Sequence, residues 1–254
     1  MKKTASARTA AGRKSDRTPG GQPAPAEGQA AKPPVRPVSQ EMRIPNIMHD
    51  GSVINLAALR ADQIDFAHMA SSLSKIARFC GRHHDAAVSV AQHSVMGADA
   101  LFSETGDGVL AGYFLLHDGH EYLLGDVSRP AALMIAWMAE ACLAERGADP
   151  AAVKGAVKEG IDRAKAAIDA VILQAAGLPA LARMPAYRRQ VAQMDERMCA
   201  AEGRALYPTA GPIPLVQTSL PPPKLTGAIR GWGAMKAEEA FAERLDRYLG
   251  IVTR

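Results

Sequence analysis

An apolar stretch from Leu110 to Leu116 runs directly into His117-Asp118-Gly119-His120-Glu121-Tyr122-Leu123-Leu124-Gly125-Asp126, which places two histidines, two aspartates and a glutamate within ten residues. Ionisable groups set against a core-forming segment are costly to bury unless they are paired or coordinated. A fold that accepts this sequence must therefore close other elements around these side chains. His117 and Asp118 are adjacent, so an ion held between them needs ligands from elsewhere in the chain. Glu121 lies four residues after His117 and can share its face on a helix.

The surrounding sequence supplies helices. Met42 to Leu59 has short apolar groups broken by Pro45, Asn46, Asp50 and Gly51 and reads as extended segments or turns. Beyond Asp65 as N-cap, Phe66, Met69, Ala70, Leu73, Ile76 and Ala77 recur at helical spacing. A second helix is expected from Asp85, with Ala87, Val88, Ala91, Val95 and Leu101 on its inward stripe and His93 within it, and a third from Leu110 to Leu116. Gly125 ends the turn from Glu121 to Leu124, and Pro130 suits the first turn of a helix through Leu143. Further helices are expected from Pro150 to Ala176, from Ala186 to Leu206 and from Lys236 to Leu249. Residues 207 to 231 hold six prolines and read as an irregular excursion over the body. With few β-branched alternating runs and no repeat, residues 41 to 254 read as one all-α domain.

Charge is unevenly placed. The 254 residues carry a formal +4, but residues 1 to 40 hold eight basic and two acidic side chains, leaving 22 basic against 24 acidic in the remainder. That first segment, rich in alanine and proline, cannot offset the entropy of ordering itself and is expected to be a disordered, dispensable basic tail. An anionic-surface contact or an organelle transit peptide are its alternatives. Proline and alanine dilute its charges, and the two tryptophans make no base-stacking platform, so no stable nucleic-acid complex is expected. Cys80, Cys142 and Cys199 are widely spaced and odd in number, which suggests neither disulfides nor a thiolate metal knuckle and fits a reducing compartment. The longest apolar run, Ala131 to Ala144, is broken by Glu140, and no apolar stretch follows Lys2 and Lys3. No transmembrane association is expected, and a cytoplasmic location is.

His93, then His117-Asp118 after Ala111-Gly112-Tyr113-Phe114-Leu115-Leu116, then a distant Asp195 resembles the ligand order of the HD-domain metal-dependent phosphohydrolase superfamily. The segments Val90-Ala91-Gln92-His93-Ser94-Val95 and Glu121-Tyr122-Leu123-Leu124-Gly125-Asp126-Val127, with Pro130, resemble its bacterial and phage branch related to the 5'-deoxynucleotidases. The similarity spans residues 44 to 206. It implies an HD-domain helical bundle in which His93, His117, Asp118 and Asp195 ligate one divalent metal, whether manganese, cobalt, magnesium, iron or zinc. It implies that Glu121 and Asp126 position or activate the attacking water, and that Arg78 or Arg82, within Ile76-Ala77-Arg78-Phe79-Cys80-Gly81-Arg82-His83-His84, contacts a substrate phosphate. A homodimer also follows from it, with Trp137 and Met138 offering apolar surface that would look identical if it faced the core.

The implied chemistry is hydrolysis of the phosphomonoester of a nucleotide or related small molecule. Imidazole and carboxylate ligands suit an ion that polarises a phosphoryl oxygen and lowers the pKa of its bound water. Asp195-Glu196-Arg197 also reads as a solvated, ion-paired face. Gly119 and His120 depart from the family pattern: glycine loosens helical backbone, and His120 reads as a solvent-facing residue in preference to an additional proton-transfer group. Paired histidines such as His83 and His84 can mean a second metal, but no acidic cluster lies beside them, so a one-metal site is favoured, and Asp85 reads as a helix cap. The competing classes are a catalytically weak nucleotide- and metal-binding regulatory module, and a helical structural protein with an anion-binding basic tail.

Overall fold

A computed structural model of the chain describes residues 42–208 and 217–253. The expectations for residues 1–40, and for the excursion at Pro212 and Pro214, lie outside them. The first ordered feature is a hairpin in which β1 (Pro45–Ile47) pairs antiparallel with β2 (Val53–Asn55), Pro45 opposite Asn55. It is the only sheet among the described residues, and helices make up most of the rest, so the fold is all-α.

Asp65 caps α1 (Phe66–Leu73), its carboxylate accepting from the His68 N–H at 3.0 Å. The helix stops short of Ile76 and Ala77. Those residues instead run beside the entry to α2 (Val90–Thr105), with the Val90 N–H donating to the Ile76 carbonyl at 3.0 Å and the Arg78 N–H to the Val88 carbonyl at 2.9 Å. This extended pairing takes backbone groups that a helix would need, so α2 does not begin at Asp85. It starts at Ser89, whose hydroxyl caps the Gln92 N–H at 3.1 Å, while Asp85 is exposed.

Asp107 caps α3 (Gly108–Leu115), and α4 (Glu121–Leu124) ends at Gly125 with φ +74°. Next comes α5 (Arg129–Glu145), with Pro130 in its first turn. The helix expected from Pro150 to Ala176 is two: α6 (Pro150–Val153) and α7 (Ala156–Ala175), parted where Gly155 adopts φ +76°. The last helices are α8 (Pro185–Leu206) and α9 (Ala234–Leu249). None among the described residues is long and apolar enough to cross a membrane. All three cysteines are free.

From Val90 to Ala98, α2 is buried on every side, as a central helix must be. It packs on α3 and α8, and α9 covers α1, α2 and α3. Met69, Leu73, Tyr113, Phe114, Ile172, Met194, Met198, Phe241 and Leu245 are fully buried where these helices meet.

Two polar clamps tie irregular backbone to this core. Gln92 donates to the Arg230 carbonyl and accepts from the Trp232 N–H, both at 2.8 Å. Between them Gly231 passes so close to Ala86 that a Cβ would meet its carbonyl oxygen at 2.0 Å, which excludes every other residue. In the second clamp Arg197 donates to both carboxylate oxygens of Glu104, at 2.6 and 2.8 Å, and to the carbonyls of Pro221 and Pro222 at 2.7 and 2.9 Å. The solvated reading of Arg197 is thereby replaced by a structural one.

The Arg197 hydrogen bonds, opposed by burial and aided by the Lys224 N–H, hold the Glu104 carboxyl below its ordinary value. A carboxyl depressed in the folded state stabilises it above the unfolded pKa, about 4.3, and that contribution is lost as pH falls through the folded value. Glu104→Gln is therefore expected to cost about 2 kcal/mol at neutral pH. Its deficit should shrink in acid, as read by urea unfolding across pH 2 to 7. Parallel pH profiles for the two proteins would remove the clamp from the stability account.

Candidate metal centre

Three helical elements converge on one point. His93 lies one turn into α2, His117 and Asp118 occupy the turn that follows α3, and Asp195 sits midway along α8. One ligand atom from each of the four lies within 4.8 Å of all the others. The His93 Nε2 is 3.3 Å from Asp195 Oδ1 and 3.9 Å from Asp118 Oδ2; the His117 Nε2 is 3.7 and 3.2 Å from the same two oxygens. Four ligands around an ion at about 2.1 Å would stand about 3.4 Å apart in a tetrahedral arrangement. The four nitrogen–oxygen distances, 3.2 to 3.9 Å, bracket that spacing.

Both imidazoles are held in one orientation from behind. His93 is fully buried, with its Nδ1 2.8 Å from Glu202 Oε1, and the His117 Nδ1 is 2.6 Å from the Phe114 carbonyl. A carboxylate and a carbonyl can only accept, so each Nδ1 carries a proton and each Nε2 is the nitrogen left to ligate an ion at the cluster. Neither Nε2 has a hydrogen-bond partner, although both are buried. An orphaned buried nitrogen costs its full desolvation energy, and an ion at the cluster would satisfy both. The residues present fit a divalent ion, and two nitrogens with two carboxylates suit borderline or hard metals.

Burial opposes a charge on either imidazole, and Arg78 adds to this at His93, yet the carboxylates of Glu202, Asp118 and Asp195 raise both histidines, His117 well above its ordinary value. The same field favours any cation placed there. Asp195 is 46% exposed and opens the cluster to solvent on the α8 side.

Glu202 backs the cluster, a placement that its side-chain type alone does not indicate. It lies seven residues after Asp195, two turns along the same face of α8, and is 1% exposed. Besides His93 it holds Arg78, whose Nε donates to Glu202 Oε2 at 2.9 Å and whose Nη1 is 3.6 Å from Asp118 Oδ2. Of the two arginines considered for phosphate, Arg78 is thus brought to the cluster and Arg82 is exposed. Directly after Arg78, Phe79 and Cys80 both adopt φ +54°, a left-handed conformation that costs a non-glycine residue about 1 kcal/mol or more. Strain of this kind persists where surrounding contacts over-determine it. Glu202→Gln is expected to weaken divalent-ion affinity about 10- to 100-fold through loss of His93 orientation. Competition against a chelator would measure it, and an unchanged affinity would remove Glu202 from the centre.

Glu121 is buried, its Oε2 has no partner, and burial followed by the charges of Asp118 and Asp126 pushes its carboxyl up to about 8. Asp126 is half-buried and raised by burial, with Arg78 opposing. His120 is not solvent-facing. It is 5% exposed, its Nδ1 lies 3.0 and 3.2 Å from the two carboxylate oxygens of Asp169 on α7, and its Nε2 is buried without a partner. Gly119 explains this better than a loosened helix does: a Cβ there would meet the Leu116 carbonyl oxygen at 2.9 Å and Ile172 at 3.1 Å. Glycine lets α7 close on the turn, and Asp169, one turn before Ile172, then reaches His120. His83 is buried edge-on to Tyr207 and His84 is exposed, and neither joins a metal-capable group among the described residues. No family model matches the chain, and no curated protein matches it.

Proposed function

We propose that this chain is a divalent-metal-dependent phosphohydrolase of the HD-domain kind, cleaving the phosphomonoester of a nucleotide or related small molecule as a 5'-nucleotidase does. The observation that carries it is the convergence of His93, His117, Asp118 and Asp195 with both imidazole Nε2 atoms buried and unpartnered. The four residues that carry the sequence resemblance, drawn from three separate segments of the chain, are the four that meet.

An ion held by these four would supply positive charge against a phosphoryl oxygen and acidify water there. Glu202 and the Phe114 carbonyl fix the two imidazoles. Arg78 uses Nε and Nη1 on Glu202 and Asp118, which leaves the Nη2 donors for a phosphate oxygen and offsets the repulsion between that anion and the surrounding acids. Glu121 and Asp126 are the free acids of the site; a carboxyl that titrates near neutrality is suited to taking a proton from water or returning one to a leaving oxygen. Substrate reaches the cluster past the exposed edge of Asp195.

The test is phosphate release from deoxynucleoside and ribonucleoside monophosphates beside generic phosphoesters. Preference for a nucleoside monophosphate is expected. Hydrolysis of generic esters alone would remove the nucleotide, and bound metal with no turnover on any ester would leave a binding module.

The same reading includes a homodimer and a cytoplasmic location, the latter suited to three free cysteines. On α5, Leu133, Met134, Trp137 and Met138 form one exposed stripe, 44 to 63% accessible, which is the surface available for a second copy. Sedimentation is expected to show a dimer that Met134→Glu with Trp137→Glu converts to monomer. A monomeric unaltered protein would overturn this part.

A further inference from the structure

We infer that the turn after α3 holds a second divalent-cation site, formed by Asp118, His120 and Glu121 and sharing Asp118 with the first. One ligand atom from each lies within 4.8 Å of the others. The inference rests on the proposed reading of the His93 cluster as a metal centre, and it adds an ion that the single-metal expectation does not contain.

Two independent observations point to a ligand here. The His120 Nε2 and the Glu121 Oε2 are both buried without a hydrogen-bond partner, in residues only 5% exposed. Two orphaned polar atoms on neighbouring residues are costly, and one cation would satisfy both. His120 is also prepared as a ligand: Asp169 takes its Nδ1 and its backbone N–H, at 3.0 and 3.3 Å, which fixes the tautomer with Nε2 as acceptor. This carboxylate–histidine arrangement repeats what Glu202 does for His93, and such partners raise ligand basicity at metal sites. Asp118 has two carboxylate oxygens and so can serve two ions.

One imidazole and two carboxylates suit a hard or borderline ion such as Mn²⁺. Three protein ligands leave coordination positions open, and two ions sharing a carboxylate suit a phosphate whose oxygens span both. In this arrangement Glu121 binds as a ligand and Asp126 remains the free carboxylate for handling protons.

The test uses the full chain, stripped with chelator and titrated with Mn²⁺, with bound ions counted after equilibrium dialysis. Two ions per chain are expected for the unaltered protein, with an exchange-broadened electron paramagnetic resonance spectrum from the shared carboxylate. His120→Gln should bind one ion and give the spectrum of an isolated Mn²⁺. Asp169→Asn, which touches no ion, should bind the second ion about 10- to 100-fold more weakly, a check that stands even if His120→Gln fails to fold. Saturation of the unaltered protein at one ion, or two ions retained in His120→Gln, overturns the second site and leaves the first. No bound ion overturns both.

Discussion

Asp118→Ala is expected to lose its divalent ions and its phosphate release together, falling to background in both. Asp118 Oδ2 is 3.2 Å from His117 Nε2, 3.9 Å from His93 Nε2 and 3.6 Å from Arg78 Nη1, so one carboxylate would complete the proposed ligand set and also pairs with the arginine beside it. Its removal leaves three ligands, of which Asp195 is half-exposed and free to turn away. The fold should survive, because Glu202 still pairs Arg78 and His93, and the buried packing of α2, α3 and α8 does not involve Asp118. Metal analysis of dialysed protein beside a thermal melt separates these effects. Full metal occupancy in the variant would sink the ligand assignment.

Glu121→Ala should behave differently, keeping the ion at the His93 cluster while turnover falls about 10²- to 10⁴-fold, whether Glu121 moves a proton itself or helps to hold the second ion. Glu121 contributes no atom to the four-residue cluster, yet it lies beside Asp118 and is nearly inaccessible. Nothing in its surroundings hydrogen-bonds its Oε2. Removal of a buried, unpartnered carboxylate should leave stability equal or higher, since desolvation is no longer opposed to folding. Unchanged kinetics would take Glu121 out of the mechanism, and loss of every bound ion would show that it supports the first centre rather than acting beside it.

What the chain's own order revealed, and what it hid, divides along the range of the interactions. His93, His117, Asp118 and Asp195 were legible because ligand chemistry is restricted to few residue types, and the buried context of α2 and α3 makes charge conspicuous. Glu202 was not, since an acid on an amphipathic helix looks like any surface acid until the register of α8 turns it inward. The burial of His120 is equally hidden from local sequence, because its partner, Asp169, lies 49 residues away on α7. The start of α2 shows the same rule. Asp85 and Ser89 are both competent caps, and the choice falls to a pairing of residues 76 to 78 with 88 to 90 that no local propensity contains. Between α6 and α7, Gly155 breaks a pattern whose apolar spacing alone runs on uninterrupted.

If the His93–His117–Asp118–Asp195 cluster holds the ion on which phosphoester hydrolysis depends, activity must follow its occupancy. The most direct test strips the protein with chelator, returns Mn²⁺ in steps, and records phosphate release from a nucleoside monophosphate against ions bound. No release is expected from the stripped protein, and the rate should climb with occupancy of that cluster. Release that persists after stripping, or a fully loaded protein that frees no phosphate from any ester, would contradict that dependence.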